Sequence, residues 1–281
     1  MSDPRDWSGE AGNPKEKKAK VPSDSLRLPI GIRVDGQVYR NVVIEEMTGI
    51  DDHLIAGKKS GGNGAKAVSL IICRCLQEVE GLLTRKLNSE KMFDRGLARN
   101  MTQLDRDFLI TNIFMLSGRE EAVMAGECPR CERVWEEFVR LSDLEVIEWP
   151  DDKPMEIPFQ LEVGVKKVDP KTKKETFHKD GVLKFPLGKE TELVGKMDNP
   201  AEMVDSLLSA CITQLGTTGG VDTETIKRLV SRDRTLLMTT IQKDLPGLRQ
   251  WKEVKCRCGR EFDVRMDINA FFVGRRRKTK K

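Results

Sequence analysis

This chain of 281 residues has only two histidines, one tyrosine and no long apolar run. No stretch approaches the roughly 20 apolar residues of a membrane-spanning helix. The opening residues, MSDPRDWSGEAGNPKEKKAK, lack the apolar core of a secretory leader. Both absences predict a protein made and kept in a cytosol, with no membrane partner. In that reducing setting its seven cysteines read as thiols or metal ligands rather than disulfides. The shortage of histidine bears on chemistry, because neither His53 nor His178 stands beside a nucleophile pattern. KKSGGNGAK (58–66) is glycine-rich, yet it lacks the Walker spacing and the Lys-Ser/Thr ending of a phosphate loop. It reads as a flexible loop. No catalytic and no organic-cofactor residues are expected. With 5% aromatics there is also little platform for stacking bases.

Charge is present but unevenly placed. The total is +4, and GRRRKTKK at 274–281 alone carries six positive charges. Residues 1–25 balance five basic against five acidic side chains, which leaves 26–273 near −2. A nucleic-acid-binding body would show a basic excess, and this one shows none. The basic tail could hold a weakly bound anionic partner through charge alone. Both ends, 1–25 and 274–281, are expected to be disordered for want of apolar residues.

The chain resembles itself. LDRDFLITNIFMLSGREEAVMAGECPRC (104–131) runs beside SRDRTLLMTTIQKDLPGLRQWKEVKCRC (231–258), with an offset of 128 from the DR pair to the first cysteine of each turn. The offset sets Asp105 opposite Asp233, Arg106 opposite Arg234, and Cys128 opposite Cys256. SLIICRCLQEV (69–79) matches SLLSACITQLG (206–216) at 137, and TGIDDHLIAG (48–57) meets LGKETELVGK (187–196). Each half then reads as a strand pair, two helices and a cysteine knuckle. Asp35-Gly36 between alternating runs marks the first hairpin, and DPKT the second. Val68, Ile71, Ile72, Cys75, Leu76 and Val79 recur at helical spacing. Asn199-Pro200 opens the counterpart helix, which should bury Met203, Leu207, Ala210, Cys211 and Leu215. A second helix carries Met101, Leu104, Phe108, Leu109, Ile113 and Leu116, and its equivalent Ile226, Leu229, Val230, Leu236, Leu237 and Ile241. The predicted fold class is α+β, internally duplicated about a pseudo-twofold. Repeat 1 spans 26–147, a linker 148–155, and repeat 2 156–273.

The cysteines pair as C-x₂-C (Cys128, Cys131) and C-x-C (Cys256, Cys258), each at a tight turn between strands. Four thiolates in tetrahedral array suit a structural Zn²⁺, which takes closed coordination by soft donors. Backbone N–H groups around each turn can offset the sulfur charge. Each repeat would bring half of one zinc ribbon, so the metal would hold the repeats together. Cys73, Cys75 and Cys211 fall in apolar helices and read as core. Asp105 and Asp233 lie within apolar stripes and need partners there. Those partners are Arg106 or Arg234 of the other half, or backbone N–H groups.

LPIGIRVDG…VVIEEMTGIDDHLIA, then DRDFLITNIFMLSG, then CPRC followed by FVRLSDLEV resembles the T-even-type phage baseplate hub assembly proteins. These are also described as tail assembly chaperones of contractile-tailed phages and related injection systems. The resemblance covers most of 26–273 and implies a non-enzymatic protein with baseplate, hub or tail proteins as partners. It implies a place in the host or bacterial cytoplasm, or on the tail of the finished particle. The C-x-C at 256–258 departs from the expected knuckle spacing. A second reading is a zinc-ribbon nucleic-acid-binding protein that uses the ribbon and the basic C-terminal tail.

Overall fold

The computed structural model describes residues 25–56, 63–84, 93–151, 153–168, 175–242 and 245–266. The predicted disordered ends, most of the glycine-rich loop and the DPKT turn lie outside them. In chain order the elements are β1 (Ser25–Val34), β2 (Gln37–Ile44), α1 (Gly49–Ala56), α2 (Gly64–Cys75), β3 (Leu76–Val79), β4 (Leu83–Thr84), α3 (Arg95–Asn100), α4 (Gln103–Leu116), β5 (Glu121–Glu127) and β6 (Val134–Arg140). A short 3₁₀ turn and β7 (Val146–Ile147) follow, then β8 (Glu156–Val168), β9 (Glu175–Lys184), α5 (Gly188–Val194), α6 (Pro200–Cys211), β10 (Ile212–Leu215) and β11 (Thr218–Gly219). The chain continues with α7 (Thr223–Lys227), α8 (Ser231–Gln242), β12 (Gly247–Leu248), β13 (Trp251–Lys255) and β14 (Glu261–Met266). The fold class is α+β.

Two antiparallel sheets, ordered β1-β2-β3-β4 and β8-β9-β10-β11, run through the chain in the same sequence. Helix propensity and strand pairing compete at the ends of α2 and α6. The predicted helix over 68–79 ends at Cys75, and Leu76 and Val79 instead pair with Ile44 and Val42 of β2. Likewise Leu215 lies on β10, opposite Gly181 of β9. Apolar residues three and four apart fit a helix face, but here they also cover both ends of a four-residue strand beside an open sheet edge. α2 and α6 end at Cys75 and Cys211. Their offset is therefore one residue less than the 137 read from the sequence. On α6 the fully buried positions are Asp205, Leu208 and Cys211, whereas Met203, Leu207 and Ala210 are only half-buried.

The expected second helix is two helices in both halves, α3 with α4 and α7 with α8, and with the unexpected α1 and α5 each half carries four helices rather than two. Thr102 makes the break in the first. Its backbone is extended, and its hydroxyl accepts from Asp105 N as an N-cap. Val230, placed in the second stripe by spacing, sits at the corresponding break and is exposed.

Each sheet packs its helices on one face. The first core gathers Leu28, Val42, Ile71, Ile72, Leu109 and Phe114, and the second Phe159, Leu183, Leu208, Cys211 and Leu237. Between them a third cluster joins Ile30, Trp149 and Phe185. Trp149 meets Phe185 edge-on at 5.0 Å, and its backbone N–H donates to Pro29 O. Within the predicted linker, Trp149 is buried at this junction.

Candidate metal centre

Beyond the two sheets lies a third, ordered β13-β14-β5-β6, in which the two cysteine hairpins are joined through β14 and β5. The shared ladder pairs Arg265 with Ala125 and Met266 with Met124. β5 runs toward its turn and β14 away from its own, so the antiparallel pairing puts both turns at the same end. This sheet buries little: Ala122, Met124, Leu141, Val254, Val264 and Met266. At about 1.5–3 kcal/mol for each large side chain, so small a core depends on whatever closes its open end.

The sulfurs of Cys128, Cys131, Cys256 and Cys258 all lie within 4.8 Å of one another there. Cys128 Sγ is 3.6 Å from Cys258 Sγ, and Cys131 Sγ is 3.6 Å from Cys256 Sγ. Tetrahedral thiolates at about 2.3 Å from a metal stand about 3.8 Å apart, so the four sulfurs fit around one ion. They could hold a metal ion. Cys128 and Cys256 are buried, Cys131 is exposed and Cys258 is intermediate.

The turns explain how unequal spacings converge. In the first, Cys128 N–H donates to Arg133 O and Glu132 N–H to Cys128 O. In the second, Cys256 N–H donates to Arg260 O and Gly259 N–H to Cys256 O. The same two bonds close both loops, with one residue fewer in the second. Glu132 (φ 57°) and Gly259 (φ 84°) hold the same left-handed position, one residue after the second cysteine of each pair. The C-x-C is a shortened knuckle with the same closure.

Electrostatics favour a cation at this point. Burial raises the Cys128 thiol pKa, but the N–H groups of Arg130 and Cys131 and the adjacent thiols outweigh it and bring the pKa to about 6. The Arg133 N–H pulls Cys131 down, yet the sulfurs of Cys256, Cys128 and Cys258 push it up to about 11. One thiolate forms readily and makes the next costly, a conflict that a divalent cation removes. Cys73 and Cys211 stand apart from this cluster, raised to about 11 and about 12 mainly by burial. With Cys75 they are core, as their spacing predicts.

Asp105 and Asp233, which the sequence left between two kinds of partner, bind backbone. Asp105 accepts from Ile30 N at 2.9 Å and Gly31 N at 3.0 Å, and from the Thr102 hydroxyl. Asp233 accepts from Glu162 N at 2.8 Å and Gly164 N at 2.9 Å. Both clamp a bulge in the first strand of a sheet, where Gly31 (φ 97°) and Gly164 (φ 86°) turn the chain. Only glycine takes that conformation without penalty.

The sequence gives little sign of how strongly the halves interlock. α5 packs on α2, α3 and α4, with Gly188 N–H donating to Met101 O and Gln103 N–H to Pro186 O. Arg106 is fully buried in this joint and donates to Ala65 O, Ser69 Oγ and Thr191 Oγ1. Glu192 accepts from Ser69 Oγ at 2.6 Å and pairs with Arg99. The signal available was the DR pair repeated in the two matched helices, which names no partner for either arginine; Arg106 is buried and Arg234 only half-buried. No protein-family model, curated protein or solved structure matches this chain.

Proposed function

We propose that this chain is a non-enzymatic assembly protein of a contractile tail or related injection system, acting at the baseplate or hub. It is built as an internal duplication clasped by a structural Zn²⁺ on Cys128, Cys131, Cys256 and Cys258. The observation that carries the reading is that both halves present one order of strands and helices and each ends in a cysteine turn. Those turns meet at a single four-sulfur site. The zinc would be closed off by four thiolates, stabilising the ribbon rather than activating water. The buried charged residues of the helices are committed to structure as well: Asp105 and Asp233 hold strand bulges, and Arg106 and Glu192 hold the joint. Rigidity of this kind suits a scaffold that grips a partner with two related faces. Partner identity rests on the resemblance of 26–273 to the baseplate hub assembly family.

Purified protein is expected to carry about one zinc per chain, the stoichiometry of a Cys₄ site. Metal-free protein from a reducing, chelator-free preparation would remove the ribbon. For the biological role, the gene is deleted and the particles are imaged. Loss of complete baseplates or tails with head or cargo production intact is expected. Normal particles would overturn the assembly role, and salt-sensitive DNA or RNA binding by the full chain would then favour the nucleic-acid reading.

A further inference from the structure

We infer that the four-cysteine cluster is also an oxidation site, at which a hydroperoxide converts the metal clasp into two disulfides that both bridge the halves. The inference shares its four sulfurs with the metal reading, but its pairing stands on the sulfur geometry alone. The two contacts at 3.6 Å, Cys128 to Cys258 and Cys131 to Cys256, each join one turn to the other rather than closing a turn on itself. Each also joins an accessible sulfur, Cys131 or Cys258, to a buried one, Cys256 or Cys128. The accessible thiolate can therefore meet the oxidant while its partner waits behind it.

The chemistry balances with one peroxide per bond. The Cys131 thiolate attacks the peroxide O–O bond, giving its sulfenic acid and one hydroxide. The Cys256 thiolate then displaces the second hydroxide from that sulfur, and the S–S bond forms. Cys258 and Cys128 repeat the sequence with a second peroxide. Four sulfurs lose four electrons in all, the peroxide oxygens leave as hydroxide, and no thiolate would remain to hold a metal ion there. The oxidised chain stays clasped at the same place, now covalently. A scaffold joined this way would keep its halves together on passing from a reducing to an oxidising medium.

Hydrogen peroxide is added to the full-length protein, metal release is followed with a chromogenic chelator, and the product is digested with trypsin under non-reducing conditions. Arg130 and Arg257 separate the cysteines within each pair, so every pairing gives a peptide of distinct mass. Linked Cys128–Cys258 and Cys131–Cys256 peptides are expected, appearing as the metal is released. Cys131→Ser should leave the Cys128–Cys258 link alone. Links within one turn, or sulfinic and sulfonic acids without links, would overturn the inference. Protein that starts without metal yet gives the cross-links would sink the zinc reading and leave this one standing.

Discussion

Glu132 occupies a left-handed backbone position, φ 57°, that its counterpart fills with Gly259. The Cβ of a non-glycine residue there is opposed by its own carbonyl, at about 1–2 kcal/mol. Glycine relieves that strain but costs about 0.5–1 kcal/mol in chain entropy. Glu132→Gly is therefore expected to stabilise the metal-loaded protein by up to about 1 kcal/mol, and Gly259→Ala to destabilise it by at least as much. Urea unfolding of both variants checks this, and a destabilised Glu132→Gly would mean that the glutamate side chain has a role of its own. Asp105 is the other residue under tension. Burial raises its pKa to about 6, against the pull of the Ile30, Thr102 and Gly31 donors and of Arg40. A carboxyl raised in the folded state contributes stability that is full below about pH 4 and is lost as pH rises through about 6. Relative to Asp105→Asn, which does not titrate, the wild type should gain about 1 kcal/mol between pH 7 and pH 5, and up to about 3 kcal/mol in all once the pH falls below about 4. A difference independent of pH would show that the backbone donors keep this carboxylate charged.

At the scale of elements, the chain's choices come in pairs. α2 and α6 each give way to a strand at a buried cysteine, and each first strand bulges where an aspartate reaches it. The halves differ in how they settle the arginine of the DR pair. Arg106 relies on Ser69 and on Thr191 from α5, while Arg234 has Asp205 on α6 of its own half. The first half is thus built to receive α5, and the second neutralises its own arginine. Arg106→Leu is expected to cost about 3–5 kcal/mol, the range for breaking a buried charged contact. Combined with Glu192→Gln it should cost less than the sum of the two singles by about 1 kcal/mol or more, because both belong to one network. Arg234→Leu and Glu192→Gln should simply add. Strict additivity in the first pair would mean that α5 is held by packing alone.

For the whole molecule, the cysteine turns are the far end of a joint that begins at Trp149 and α5. With a metal ion held at the four sulfurs, as proposed, chelation is expected to lower stability by several kcal/mol, since ligand-forming folds take their metal affinity as folding energy. The loss should appear first in the third sheet, whose core is the smallest, as early amide exchange in β13, β14, β5 and β6. Cys128→Ser and Cys256→Ser should cost similar amounts, because each removes one buried ligand from the same ion. A large inequality would mean that one turn closes without the metal.

The sequence alone determined much of this protein. Hairpin dipeptides, helix caps and the apolar spacing set the α+β class and the order of most elements, because those signals act within a few residues. The matched Cys128–Cys131 and Cys256–Cys258 pairs named the candidate ligands, because thiols at paired turns are uncommon for any other reason. Only the tertiary structure decided the rest. It moved Leu76, Val79 and Leu215 from helix to strand, since the edges of β2 and β9 had backbone groups to satisfy. It gave Asp105 and Asp233 to the bulges at Gly31 and Gly164, through bonds spanning some 70 residues that no local pattern encodes. It brought the four sulfurs together by joining β5 to β14, a pairing chosen by the packing of two halves around Arg106 and Trp149. Local chemistry writes the elements, but the meeting of distant ones depends on which surfaces must be buried against each other.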